Sequence, residues 1–184
     1  MSNMHFNSIT FIGGIHGVGK STVCQHICDE LKIEYLSASK LLKWEDINED
    51  VKNKKVRNVT DTQNRLISGL ANIVKDGKQY LLDGHYCLLG QDNEIKSIPL
   101  ETFKLINPLC LNLILGDISV IKKRIEERDN KIYDYSLLEN LQFEELHHAK
   151  FLSRTLGITL NIGTTNDYSE MLTSLQNLLK LKVK

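Results

Sequence analysis

Ile9-Thr10-Phe11-Ile12-Gly13-Gly14-Ile15-His16-Gly17-Val18-Gly19-Lys20-Ser21-Thr22 decides the fold of this chain. Residues 14–21 satisfy G-x-x-x-x-G-K-[ST], follow an apolar strand-like run and open a helical pattern, so motif and context agree. In such a loop the glycines let backbone N–H groups curl around a β-phosphate, and the helix N-terminus adds positive potential. Lys20 would reach the β/γ oxygens and Ser21 would ligate Mg²⁺. The expected nucleotide-binding residues are Gly14, His16, Gly17, Val18, Gly19, Lys20, Ser21 and Thr22, with ATP and Mg²⁺ as cofactors. His16 occupies a variable position of the motif, where the expected side chain faces solvent.

Outward from the loop, strand-like runs recur at 9–12, 33–36, 80–82, 111–115 and 158–162. Between them, apolar residues at i, i+3, i+4 and i+7 predict helices over 21–31, 60–75, 120–128, 137–156 and 168–181. The alternation predicts an α/β fold, a three-layer P-loop domain with a five-stranded parallel sheet and right-handed crossovers. The 184 residues suit one domain at about 150 residues per domain. Residues 37–58, with Trp44, delay the return to the sheet and predict a small helical insert; the polar break at 129–134 is too short for a domain.

The carboxylate ending Tyr80-Leu81-Leu82-Asp83 is placed as in a strand whose Asp holds the Mg²⁺ shell, although Asp is also favoured in ordinary turns. Ser21 and Asp83 are therefore the expected metal ligands. His85, two residues on, reaches the same side of an extended chain, where it would meet metal-bound water or the transferring phosphate, or serve as a structural histidine. Arg124 and Arg128 share one helical face in a chain with few arginines. Like charges four apart repel, whereas planar guanidinium groups clamp phosphate, so the pair points to an anion or else to a solvated face paired with Glu126, Glu127 and Asp129. The expected catalytic set is Lys20, Asp83, His85, Arg124 and Arg128.

Composition narrows the class. Lys plus Arg and Asp plus Glu are both 23, so no global field favours nucleic acid or an anionic membrane. Cys24, Cys28, Cys87 and Cys110 lack metal-site or redox spacing and read as reduced, partly buried thiols. No apolar run approaches the 18 residues of a membrane span and the N-terminus has no signal pattern, so the expectation is a cytoplasmic protein without an anchor.

These residues together resemble small P-loop nucleotide kinases, and within them the archaeal-type and isoenzyme-6-type adenylate kinases, over nearly the whole chain. The resemblance rests on the loop at 14–21, on Asp83-Gly84-His85 as that family's D-x-H, on Arg124 and Arg128 as lid arginines, and on the acidic helix 138–145. Residues 37–43 are similar to the segment opening the nucleoside-monophosphate site. It implies an acceptor-binding insert at about 37–76, a short lid at about 124–140, and a nucleoside monophosphate as phosphoryl acceptor. It also implies slow ATP hydrolysis and, for some members, a protein or ribonucleoprotein partner in ribosomal maturation. The chain departs from archaeal members, whose lid is Arg-rich, in a 129–134 break that carries only Lys131 and in an acceptor side offering Arg57, Lys54 and Lys55 without an arginine cluster. Kinases of other small metabolites share every donor-side feature, and an ATPase switching a protein or RNA partner is the alternative from another class.

Overall fold

In the computed structural model, which describes residues 6–42, 59–90 and 92–180, strands β1 (Ile9–Gly13), β2 (Glu34–Ser37) and β3 (Tyr80–Asp83) alternate with helices α1 (Lys20–Leu31), α2 (Ala38–Leu41) and α3 (Val59–Ile73). A hairpin of β4 (Cys87–Leu89) and β5 (Ile95–Ser97) follows, then α4 (Leu100–Ile106), β6 (Leu111–Leu115), α5 (Ile118–Asp129), α6 (Tyr135–Leu156), β7 (Leu160–Thr164) and α7 (Ser169–Lys180). The five long strands form one parallel sheet in the order β2-β3-β1-β6-β7. The chain therefore builds from β1 to one side and then from β6 to the other. Ligands bind beyond the carboxyl ends of strands where such a sheet reverses its winding, and the glycine-rich loop leaves β1 at that place.

Burial explains which strands read as continuous apolar runs. Every residue of β1 and β3 is buried, whereas the edge strands β2 and β7 are half exposed. Alternate side chains divide the core. Ile9, Phe11, Tyr80, Leu82, Leu111 and Leu113 pack on one face with residues of α3, α4 and α6; Ile12, Leu81 and Ile114 pack on the other with α1, α5 and α7. Phe11 meets Tyr86 and Phe103 edge-on, each at 5.1 Å between ring centres.

All five predicted strands and all five predicted helices are present, with no end shifted by more than two residues. The sequence pattern predicts no element between Asp83 and Leu111, where the structure has β4, β5 and α4. Three-residue strands and a seven-residue helix are too short to show a period. Of the expected insert, α2 and α3 are described, while Lys43, Trp44, Lys54, Lys55 and Arg57 lie outside the described residues. No helix among the described residues is long and apolar enough to cross a membrane. Cys24, Cys28, Cys87 and Cys110 are all free and buried, and burial raises their thiols, Cys110 to about 12.

Candidate active site

The phosphate loop begins where β1 can no longer pair. The β1–β3 ladder ends with the Gly84 N–H donating to the Ile12 carbonyl at 2.9 Å, and beyond that point the two chains part around a cleft of about 920 Å³. Gly14 has φ 143° and Gly17 φ 82°, backbone shapes that disfavour side chains. Space requires glycine as well: a Cβ on Gly14 would lie 2.6 Å from the Ile114 carbonyl oxygen, and one on Gly17 would lie 2.1 Å from Ile125. Val18 is buried among the core side chains of α5, so only its backbone is available to a ligand. Gly19 then starts α1, whose first residues Lys20, Ser21 and Thr22 line the cleft.

Lys20 and Asp83 meet on the cleft floor. The Lys20 ammonium lies 3.1 Å from Asp83 Oδ1, with side chains 8% and 10% exposed, and the Tyr35 hydroxyl donates to Asp83 Oδ2 at 2.8 Å. Burial, then the Asp83 charge, raises the Tyr35 hydroxyl far above its ordinary value, so it remains a donor. Sequence reasoning gives Lys20 only phosphate to touch; the structure adds a buried carboxylate partner 63 residues away. His85 also lines the cleft, two residues beyond Asp83.

Both predicted arginines leave α5 on the side facing the loop. Arg124 Nη1 donates to the Gly17 carbonyl at 2.9 Å. Arg128 forms a two-pronged pair with Asp129, each bond 2.6 Å, and its Nη2 also contacts His16 Nε2. Arg128 and the Tyr133 hydroxyl hold the Asp129 carboxyl well below the usual carboxylate range. The solvated-face alternative for these arginines pairs Arg128 with Asp129 correctly, whereas Arg124 lies on loop backbone. His16, expected to face solvent, is partly exposed and touches Arg128.

Two residues that sequence reasoning missed hold the frame. Glu145 on α6 is wholly buried; its Oε2 accepts from the Gly14 N–H at 3.0 Å, and its Oε1 accepts from the Tyr86 and Cys87 N–H groups at 2.9 and 3.0 Å. Burial pushes its carboxyl up to about 7, against these three donors and the nearby Lys20 charge, which pull it down. Gln142 binds both the N–H and the carbonyl of Gly116, at 2.9 and 3.0 Å, and so ties α6 to the end of β6. A signal for Glu145 exists in the helix itself. Leu138, Leu141, Ala149 and Leu152 mark the buried face, and a carboxylate at 145 falls on that same face.

The donor set fits a hard cation. Ser21 and Asp83 line one cleft, and a hydroxyl and a carboxylate are oxygen donors of the kind that would hold Mg²⁺. No cluster of three His, Cys, Asp or Glu side chains suitable for a metal exists among the described residues.

Comparison with known proteins agrees with this architecture. The family model described as AAA domain matches residues 13–142, from the phosphate loop into α6. A gluconokinase from Sinorhizobium meliloti 1021 superposes with a TM-score of 0.59 at 15% identity, covering 98% of this chain and 99% of that one. Shikimate kinase from Bacteroides thetaiotaomicron gives 0.55 at 12% identity over 94% and 98%. At these identities the likeness establishes a shared P-loop kinase fold. No curated protein matches the sequence significantly.

Proposed function

The chain belongs to the AAA domain family of P-loop proteins, and from that premise we propose that it is an ATP- and Mg²⁺-dependent phosphotransferase whose acceptor is a nucleoside monophosphate. The observation that carries the acceptor is the chemistry of the apolar part of the cleft lining. Phe11, Leu42, Leu66, Leu88, Ile98 and Phe103 line it, with the Gln63 amide and the Thr102 hydroxyl among them. A flat, mostly apolar body with a hydrogen-bonding edge suits that wall, which is the description of a nucleobase. A polyol or carboxylate body would ask for a wall of donors and cations, and Lys40 is the cation that α2 brings to the cleft.

Phosphoryl transfer asks for alignment and charge neutralisation rather than covalent chemistry. Phosphate oxygens in the loop would compete with Asp83 for the Lys20 ammonium, so nucleotide binding exchanges one anionic partner of Lys20 for another. Asp83, once relieved of Lys20, and Ser21 would hold Mg²⁺, which when bound neutralises charge on the transferred group. Arg124 and Arg128, already against the loop, supply planar donors where charge spreads in the transition state. His85 lies where it can donate to the same oxygens.

The test is product chromatography with ATP, Mg²⁺ and a panel of nucleoside monophosphates, nucleosides, sugars and carboxylic acids. Diphosphate formation confined to monophosphates is the expected result. Turnover of ATP that ignores every small acceptor, or responds only to a protein or RNA, overturns the reading.

A further inference from the structure

The chain 83–87 and the loop that starts at Gly14 must sit at a fixed spacing, because Asp83 and His85 are on one and Lys20 on the other. Backbone pairing cannot set that spacing, since the β1–β3 ladder has already ended at Gly84. We infer that Glu145 is a positioning residue that fixes the gap between the phosphate loop and the segment carrying Asp83 and His85, one carboxylate oxygen holding each side.

The geometry is specific. Oε2 takes the N–H of Gly14, the first residue of the loop, and Oε1 takes both Tyr86 and Cys87, the residues immediately after His85. All three contacts bridge at least 58 residues of sequence. The carboxylate thus joins the two segments beyond the end of the ladder, where main-chain groups no longer pair. Neighbouring packing leaves no slack: a Cβ on Gly13 would fall 2.3 Å from the Tyr86 ring, and the Tyr86 hydroxyl is held by the Asn112 carbonyl at 2.9 Å. The helix bearing Glu145 is itself fixed to β6 by Gln142. A carboxylate with three backbone donors and complete burial is costly to place in a core for packing alone, where an apolar side chain would serve. Its value lies in accepting at both oxygens, which no other side chain of that length does.

The inference rests on the phosphotransferase reading and is tested with the full chain. Glu145→Gln keeps size and shape but turns one acceptor into a donor, so either Gly14 or the Tyr86–Cys87 pair must face an N–H group. Expected is a fall in kcat of about tenfold or more with the KM for ATP changed less than about threefold, since sub-ångström misplacement reaches the transition state before it reaches binding. Glu145→Asp keeps the charge but shortens the reach, and a kcat between wild type and the Gln variant is expected; it decides the matter alone if the Gln variant does not fold. A role confined to packing would lower Tm in both variants and leave kcat at 25 °C within twofold of wild type, and that result overturns the proposal. Amide hydrogen exchange separates it from the kinase reading. Wild-type protein inert toward every acceptor would bring down that reading, whereas unchanged protection of Gly14, Tyr86 and Cys87 in Glu145→Asp would bring down the clamp.

Discussion

Asp83 and Glu145 are both buried carboxylates beside the phosphate loop, yet they are held in different ways. Asp83 faces a cation and a hydroxyl, each on a side chain; Glu145 faces three main-chain N–H groups. A side-chain cation can be drawn away by a stronger anion, whereas backbone donors fixed by sheet and loop cannot. The first arrangement is therefore exchangeable and belongs to chemistry, and the second is permanent and belongs to architecture. Each solves the same problem, the cost of a charge removed from water.

The largest effect should come from removing the exchangeable cation. Lys20→Ala is expected to lower turnover by about a thousandfold or more, because the ammonium neutralises the transferred group. It also strands Asp83 on the cleft floor with only Tyr35. Loss of one partner of a buried pair costs 3–5 kcal/mol, and the slight exposure here lowers that to about 1–3 kcal/mol. The double variant Lys20→Ala/Asp83→Asn should regain most of the lost Tm and none of the turnover. Equal Tm for the single and double variants, measured calorimetrically, would show that the pair is not coupled in the folded protein.

Asp83→Asn alone should lower Mg²⁺-dependent turnover by about a hundredfold while metal-free ATP still binds, since the amide keeps the shape and loses the charge. An unchanged Mg²⁺ titration would leave Asp83 as a partner of Lys20 only. Smaller again are the arginines, which differ from Lys20 in being held by a backbone carbonyl or a neighbouring carboxylate. Arg→Lys at one of the two positions should lower kcat by about tenfold, about 1.4 kcal/mol, with ATP affinity nearly constant. Wild-type rates in both variants would return these residues to the solvated face.

The same contrast explains what the sequence discloses. Asp83 is legible because its signal is local: an apolar run, a strand end, a carboxylate and a glycine, all within five residues. The loop at 14–21 is legible for the same reason. Glu145 is not, because its partners Gly14, Tyr86 and Cys87 are 131, 59 and 58 residues away and use main-chain atoms that have no sequence signature. It also stands beside Glu144 in a helix with Glu139, so only the burial face separates it from solvated neighbours. The pairing of Lys20 with Asp83 is hidden likewise, since motif reasoning assigns each to a ligand and never to the other. The apolar part of the cleft lining mixes short elements between 87 and 106 with α2 and α3, and no periodic pattern announces it.

The last expected effect is on stability rather than turnover, and it tests whether Glu145 is as permanent as its contacts suggest. Burial raises its carboxyl to about 7 in the folded protein, above the value near 4.5 of an exposed glutamate. The folded state then holds the proton more tightly than the unfolded state between those two values. Stability from this group is complete below about pH 4.5 and is lost as pH rises through 7, by at most about 3 kcal/mol. Other groups titrate in the same window, so the comparison is with Glu145→Gln, which cannot titrate. Wild-type Tm minus variant Tm should fall by several degrees between pH 5 and pH 8. Activity should run the other way, because a protonated carboxyl presents an O–H to backbone N–H groups that need an acceptor. Parallel Tm curves would mean that the three donors keep Glu145 ionised throughout, and the clamp would then hold at every pH where the protein is folded.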